Sequence, residues 1–259
     1  MSDKKKETFS ARARKWTQKN GLHGARAYLR YVFFAFLDCL QQGGDEFVFK
    51  GGNLLWLYIK TPRHTVDLDL ATRKVNDPVK VRKLLEEACI RGDGIEFKVK
   101  SLKEVTNGDL KGAAVTMAFR TEDGAFNTFD MDIVFALPTD SELLPSPLST
   151  TVEIRAATLE NILVDKISTC HRFRSGNTRM KDFDDLWRLS KSDVKIEMGE
   201  VRKRLSEKSM PLKLEPGWVD AVMENAWKRH IDAYKDLPTE LTSLLEDVNH
   251  WLLTEGEKS

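Results

Sequence analysis

Apolar and polar positions follow two different rhythms along the chain. Up to about residue 135, short apolar runs alternate with polar residues and turn signals, whereas beyond residue 158 the spacing is helical. Ala25–Gln42 reads as a helix closed by Gly43-Gly44. Phe47–Phe49 reads as a short strand, and Gly51-Gly52 turns the chain into a short helix over Asn53–Ile59. Pro62 resets the pattern, and Thr65–Ala71 alternates polar and apolar residues, so a strand is expected there. Pro78–Cys89 has helical spacing behind Asp77-Pro78, a suitable cap and first turn. Three strand-like runs follow, Ile95–Val105, Ala113–Arg120 and Phe126–Phe135. The turns Asn107-Gly108 and Asp123-Gly124 separate them, as in antiparallel hairpins.

Leu137–Thr150 holds three prolines and is expected to be a loop that bounds the sheet module, with Val152–Ile154 as a short edge strand after it. The remaining pattern predicts helices over Leu159–Phe173, Phe183–Ser190, Ile196–Leu205 and Trp218–Leu253, the last broken near Asp236-Leu237-Pro238. The expected class is α+β: an N-terminal arm over 1–24, an α/β module over 25–150 and a helical module over 151–259.

Composition narrows the possibilities. With 41% hydrophobic and 9% aromatic residues in 259, the chain can build a core, which excludes general disorder. Its longest apolar stretch, Tyr31–Leu37, is far short of a membrane span, and no secretory leader is readable. Three widely spaced cysteines (39, 89, 170) fit neither a disulfide framework nor a zinc knuckle, so a reducing cytoplasm is expected. Net charge is +1, but residues 1–30 carry nine Lys/Arg against two acids, a net of +7, leaving −6 for the rest. Such a basic arm, with Trp16 in it, suits either a solvated segment or an RNA partner.

The chemistry concentrates at Lys50-Gly51-Gly52 and Arg63-x-Thr65-x-Asp67-x-Asp69. On a strand the side-chain period is two, so Arg63, Thr65, Asp67 and Asp69 are expected on one face, with Val66, Leu68 and Leu70 on the other. Two carboxylates one strand-step apart are hard oxygen ligands suited to Mg²⁺. A Gly-Gly turn opening a helix offers backbone N–H groups to an anion. Together they suit a metal-bound nucleoside triphosphate. Phe129-Asp130-Met131-Asp132-Ile133 can supply a third acid. Asp132 lies deeper in the apolar run and is preferred to Asp130, though sequence leaves both open.

A Gly-Gly turn, a short helix, Asp-x-Asp on the next strand and a later Asp on another strand resemble the DNA polymerase β-like nucleotidyltransferases. The segment FKGGNLLWLYIKTPRHTVDLDLAT resembles more closely the AbiEii/AbiGii family, the toxin halves of bacterial abortive-infection and toxin–antitoxin pairs. LENILVDKIST, with Lys166, and RMKDFDDLWRL, with Lys181, Asp182 and Asp185, extend the resemblance from about Phe47 to Leu189. It implies a polymerase β-like sheet module followed by helices, Lys166 as a phosphate contact, Asp182 as a second-half acid and Lys181 as a nucleotide contact. Asp185 would orient a neighbour, while Asp182 can also be read as a plain helix N-cap. No acid occurs between Lys166 and Lys181, so a positive wall for phosphates is expected there.

The expected mechanism has Asp67, Asp69 and Asp132 holding Mg²⁺ (or Mn²⁺), with Lys50, Arg63, Lys166 and the Gly51-Gly52 turn steadying an NTP. The resemblance implies an RNA acceptor, tRNA first, and a cognate antitoxin. Alternatives are transfer to a protein or small-molecule hydroxyl, and an inactive nucleotide- or RNA-binding module.

Overall fold

The computed structural model describes residues 7–107, 110–137 and 139–255. Lys4–Lys6, Gly108 of the expected Asn107-Gly108 turn and Pro138 fall outside them. The chain separates into two compact units, one reaching Leu54 and resuming over His64–Ala157, the other Leu55–Arg63 with the chain from Thr158 onward.

The first unit is built on a seven-stranded mixed sheet. Its elements are α1 (Phe9–Lys19), α2 (Gly24–Gln42), β1 (Phe47–Lys50), the start of α3 (Gly51–Ile59), β2 (Asp67–Thr72), α4 (Pro78–Ala88), β3 (Ile95–Asn107), β4 (Leu110–Thr121), β5 (Phe126–Val134), β6 (Ser141–Pro145) and β7 (Glu153–Ala157). The strand order is β3-β4-β5-β2-β1-β7-β6. The β3-β4-β5 meander is antiparallel, as its turns predict, whereas β2 pairs parallel with β5 and β1 parallel with β7.

α2 is apolar on most of its circumference and is accordingly buried, with Val32, Phe33, Phe34, Phe36 and Leu37 all at 0% exposure. Its phenylalanines meet the sheet edge-to-face: Phe36 lies 5.0 Å from Phe97 and Phe33 5.2 Å from Phe129, centroid to centroid. Two expectations give way here. The proline-containing stretch after residue 137 is not all loop: β6 pairs antiparallel with β7, and Pro145, lacking an N–H, is tolerated because β6 is an edge strand. β7, expected at the edge, lies between β1 and β6.

Among the described residues, the basic segment forms a helix over Phe9–Lys19. Thr8 caps α1 by accepting from Ala11 N, and Phe9 packs 5.2 Å from Tyr31. Trp16 donates from Nε1 to Pro147 O at 3.1 Å and sets its ring against Tyr31 and Phe34. Its ring is part of this packing and is not an open stacking platform.

The second unit is helical: α5 (Leu159–Phe173), α6 (Met180–Ser190), α7 (Met198–Glu207), α8 (Ala221–Ile231) and α9 (Leu241–Glu255), together with the rest of α3. Thr158 and Asp220 cap α5 and α8 with their side chains. The expected Trp218–Leu253 helix is two helices, with Trp218 in a separate 3₁₀ turn, and Pro238 lies in the gap between them. Phe183, Leu186, Trp227, Leu241 and Leu244 form its apolar centre at 0% exposure.

Candidate active site

The site in the sheet unit starts from the pleat of β2. Leu68 and Leu70 are buried at 0% and 1%, which directs Asp67 and Asp69 to the opposite face. The parallel register sets Asp67 beside Asp130 and Asp69 beside Asp132, and β1 sets Lys50 beside Asp69. Asp67, Asp69 and Asp132 each bring one carboxylate oxygen to within 4.8 Å of the others. Asp130 accepts instead from Thr116 Oγ1 at 2.9 Å and is outside this group.

Gly51 makes room for that arrangement. Its φ is +73°, and a Cβ there would lie 1.8 Å from Asp69 Oδ2 and 2.7 Å from Asp69 Cβ. Only glycine combines this backbone with so close an approach. Gly52 follows, buried, in the first turn of α3.

Asn53, 1% exposed, ties the start of α3 to the entrance of β2. It donates to Asp67 O at 2.8 Å and accepts from Arg30 Nε at 3.2 Å. Sequence reasoning passed over both residues, because an Asn heading an apolar run and an Arg inside an apolar helix carry no metal- or phosphate-binding pattern. A polar residue at a buried position was the available signal.

The expected shared face of Arg63, Thr65, Asp67 and Asp69 does not form. β2 begins at Asp67, Val66 is 55% exposed, and Thr65 is buried with no partner for its Oγ1 among the described residues. Arg63 belongs to the helical unit.

In that unit a buried ion-pair network gathers residues from three segments. Lys166 Nζ lies 2.7 Å from Asp182 Oδ1 and 2.6 Å from Asp185 Oδ2. Arg63 grips Asp185 with two donors, Nε at 2.7 Å and Nη2 at 2.9 Å. Arg179, 47% exposed, donates from Nε to Asp182 Oδ2 at 3.0 Å. Burial works against the Lys166 charge, but Asp185 and Asp182 outweigh it and hold its pKa above the usual lysine range. Burial likewise disfavours ionised Asp182, yet Lys166 and Arg179 prevail and its pKa is lowered.

Lys166 is thus held by two carboxylates. Asp185 is the hub of the cluster and receives both Lys166 and Arg63. Asp182 is not an N-cap: α6 starts at Met180 and its cap position is Arg179, so Asp182 lies in the first turn. Lys181 is half-buried and makes no ion pair among the described residues. Arg172 and Arg174, expected in a positive wall, are exposed at the end of α5.

The acid triad fits a divalent cation by its donor chemistry. Three hard oxygens converge on one face, and Gly51 leaves Asp69 the space to reach it. Carboxylates this close repel one another, and a cation between them reverses the sign of the interaction.

Residues 35–252 match the family of the nucleotidyl transferase AbiEii toxin, a type IV toxin–antitoxin system. The fold is similar to a nucleotidyltransferase candidate from H. pylori solved by crystallography, with a TM-score of 0.53 at 18% identity over 86% of this chain and 91% of that one. It is similar also to crystalline JHP933 from Helicobacter pylori, with a TM-score of 0.52 at 18% identity over 86% of this chain and 88% of that one. No curated protein matches the chain.

Proposed function

The chain belongs to the AbiEii nucleotidyl transferase toxin family and is a nucleotidyltransferase; from that membership we propose that it transfers NMP from an NTP to the terminal hydroxyl of an RNA, with tRNA as the acceptor. The observation that carries the transfer of NMP is the convergence of Asp67, Asp69 and Asp132 within 4.8 Å beside the Gly51 turn; the RNA acceptor rests on the family resemblance. The same membership implies a cognate antitoxin. No described helix is long and apolar enough to cross a membrane, and we place the protein in the cytoplasm.

Asp67, Asp69 and Asp132 would hold the cation, Mg²⁺ with Mn²⁺ as a substitute. Bound there, it supplies positive charge to the triphosphate and makes a hydroxyl a better nucleophile at neutral pH. Gly51 and Gly52 open α3, whose N-terminal N–H groups and dipole favour the phosphates, and Lys50, at the register position of Asp69, adds a positive charge. The acceptor oxygen bonds to the α-phosphorus as the bond to pyrophosphate breaks. The hydroxyl proton passes to a carboxylate, and Asp132, the exposed member of the triad, is the base we favour.

Within the helical unit we assign Lys166 and Lys181 to phosphate contact and Asp182 to catalytic support. Arg63 and Asp185 are positioning residues for Lys166, since Asp185 bridges the two.

The test incubates purified protein with each α-³²P-labelled NTP, Mg²⁺ and total tRNA, then resolves RNA and protein on one denaturing gel. Label on RNA, lost in Asp69→Asn while the variant still melts cooperatively, is the expected result. Label on protein alone, or none anywhere, overturns the RNA acceptor.

A further inference from the structure

The face that carries the acid triad continues well beyond it. Strand register lines up Lys103, Ala114, Asp132, Asp69 and Lys50 across five strands. Farther along the same strands come the rows Lys98–Ala118–Thr128 and Glu96–Arg120–Phe126. Between triad and edge, β4 presents Ala114, Thr116 and Ala118, all half-buried and short, so the floor of this face is low. The edge strand β3 presents three exposed lysines, Lys98, Lys100 and Lys103, with Lys100 at a β-bulge.

At the far end Phe126 is 63% exposed, unusual for a phenylalanine, and the Arg120 guanidinium lies 5.8 Å from its ring centroid. A groove of about 460 Å³ opens beside them, lined in part by Glu96, Lys98, Ala118, Arg120 and Phe126, so one acid stands among its cations. Edge lysines alone have a simple use, since charge on an unpaired strand blocks edge-to-edge association. That use explains neither an exposed aromatic ring at a groove nor a floor of small residues leading back to the acids. A row of cations joined to an aromatic and an arginine is what a single-stranded nucleic acid requires.

We propose that the single-stranded 3′ segment of the acceptor RNA lies across this face. Its phosphates meet Lys103, Lys100 and Lys98, and one unstacked base seats against Phe126 and Arg120. The inference rests on the RNA-acceptor reading above and adds where the RNA lies. Six residues of β4 separate the row of Asp132 from that of Phe126, or ~20 Å at ~3.4 Å per residue. The seated base is therefore several nucleotides upstream of the reacting hydroxyl, and the site measures acceptor length.

The experiment compares transfer to a dinucleotide and to an unstructured RNA of about ten nucleotides, within the ~4–16 that such platforms span. Unaltered protein should favour the longer RNA by roughly tenfold or more in kcat/KM. The Lys98→Glu/Lys100→Glu/Lys103→Glu variant should erase that preference through KM with kcat unchanged. Its salt dependence should flatten by about 2 in the log–log slope, at ~0.7 per phosphate contact on single strands. Phe126→Ala should raise KM for the longer RNA alone, by roughly tenfold, the loss of one stacked base. All four residues are exposed, so the variants should melt as the unaltered protein does. An unchanged preference and slope in the variants overturns the track while the acceptor reading stands. Failure of the unaltered protein to label any RNA overturns the acceptor reading and the track with it.

Discussion

Gly51→Ala perturbs the geometry of the acid triad without touching a charge. The new Cβ would stand 1.8 Å from Asp69 Oδ2, 2.5 Å from Cγ and 2.7 Å from Cβ. Side-chain rotation can move the carboxylate but not the Cβ of Asp69, which is fixed to β2. To reach an ordinary contact of 3.4 Å from that 2.7 Å, the β2 and α3 backbones must separate by several tenths of an ångström. The carboxylate, nearer still at 1.8 Å, must swing farther from its place in the triad. A misplacement on the order of 1 Å costs about 10²-fold in rate, so kcat should fall about a hundredfold. The backbone at φ +73° adds about 1–2 kcal/mol of strain for any L side chain, and Tm should drop by about 2–8 °C. Gly124→Ala is the control: its φ is +90° with nothing within 4 Å of the new Cβ, so it shares the strain but not the crowding. It should lower Tm and keep kcat. Initial rates of NMP transfer at saturating Mg²⁺, with melts followed by circular dichroism, read both effects. Transfer by Gly51→Ala within a fewfold of the unaltered rate would refute the claim that Asp69 needs this space.

Asp132→Asn should abolish transfer and Mn²⁺ binding, whereas Asp130→Asn, whose amide oxygen can still accept from Thr116 Oγ1, should retain most activity; paramagnetic titration with Mn²⁺ separates the two. The Lys166–Asp182 pair stabilises between two limits. Asp182 is lowered, so its contribution is full above its unfolded pKa and fades as pH falls below about 4. Lys166 is raised, so its share is full below about 10.5 and fades above it. The Tm difference between unaltered protein and Lys166→Met should therefore be largest near neutral pH and shrink in acid; a difference independent of pH would contradict the network. Asp38 is pushed up to about 6 by burial, against a hydrogen bond with Ser146. A raised acid destabilises once ionised, so Asp38→Asn should raise Tm by several degrees at pH 7–8 and leave it unchanged at pH 4. Equal effects at both pH values would show that charge is not the cause.

The acids of the triad were readable because alternation on a strand is local: Leu68 and Leu70 face the core, and that fixes Asp67 and Asp69. The choice of Asp132 over Asp130 depends on the parallel register of β2 and β5 and on the Thr116 hydrogen bond, which only the folded sheet shows. The period-two reading was extended too far upstream. It carried Arg63 and Thr65 onto a strand that starts at Asp67, and Arg63 instead answers Asp185, 122 positions away. A long-range ion pair leaves no local trace in sequence. The same is true of β6, where a proline-marked stretch becomes an edge strand because β7 offers it a ladder. The basic N-terminus looked like a tail by charge, and Phe9 and Trp16 decided otherwise by finding Tyr31 and Phe34.

The parallel pairing of β2 with β5 has a consequence for when activity arises. Asp69 and Asp132 are neighbours in the sheet, but α4 and the whole β3–β4 hairpin lie between them in the chain. A parallel pair cannot close through a tight turn, so this contact is of high sequence separation and its pairing is slow relative to local structure. A nascent or truncated chain that ends before β5 carries two acids and no third. The three-carboxylate site therefore cannot form until the chain has been made through β5, which ends at Val134, near the middle of its 259 residues.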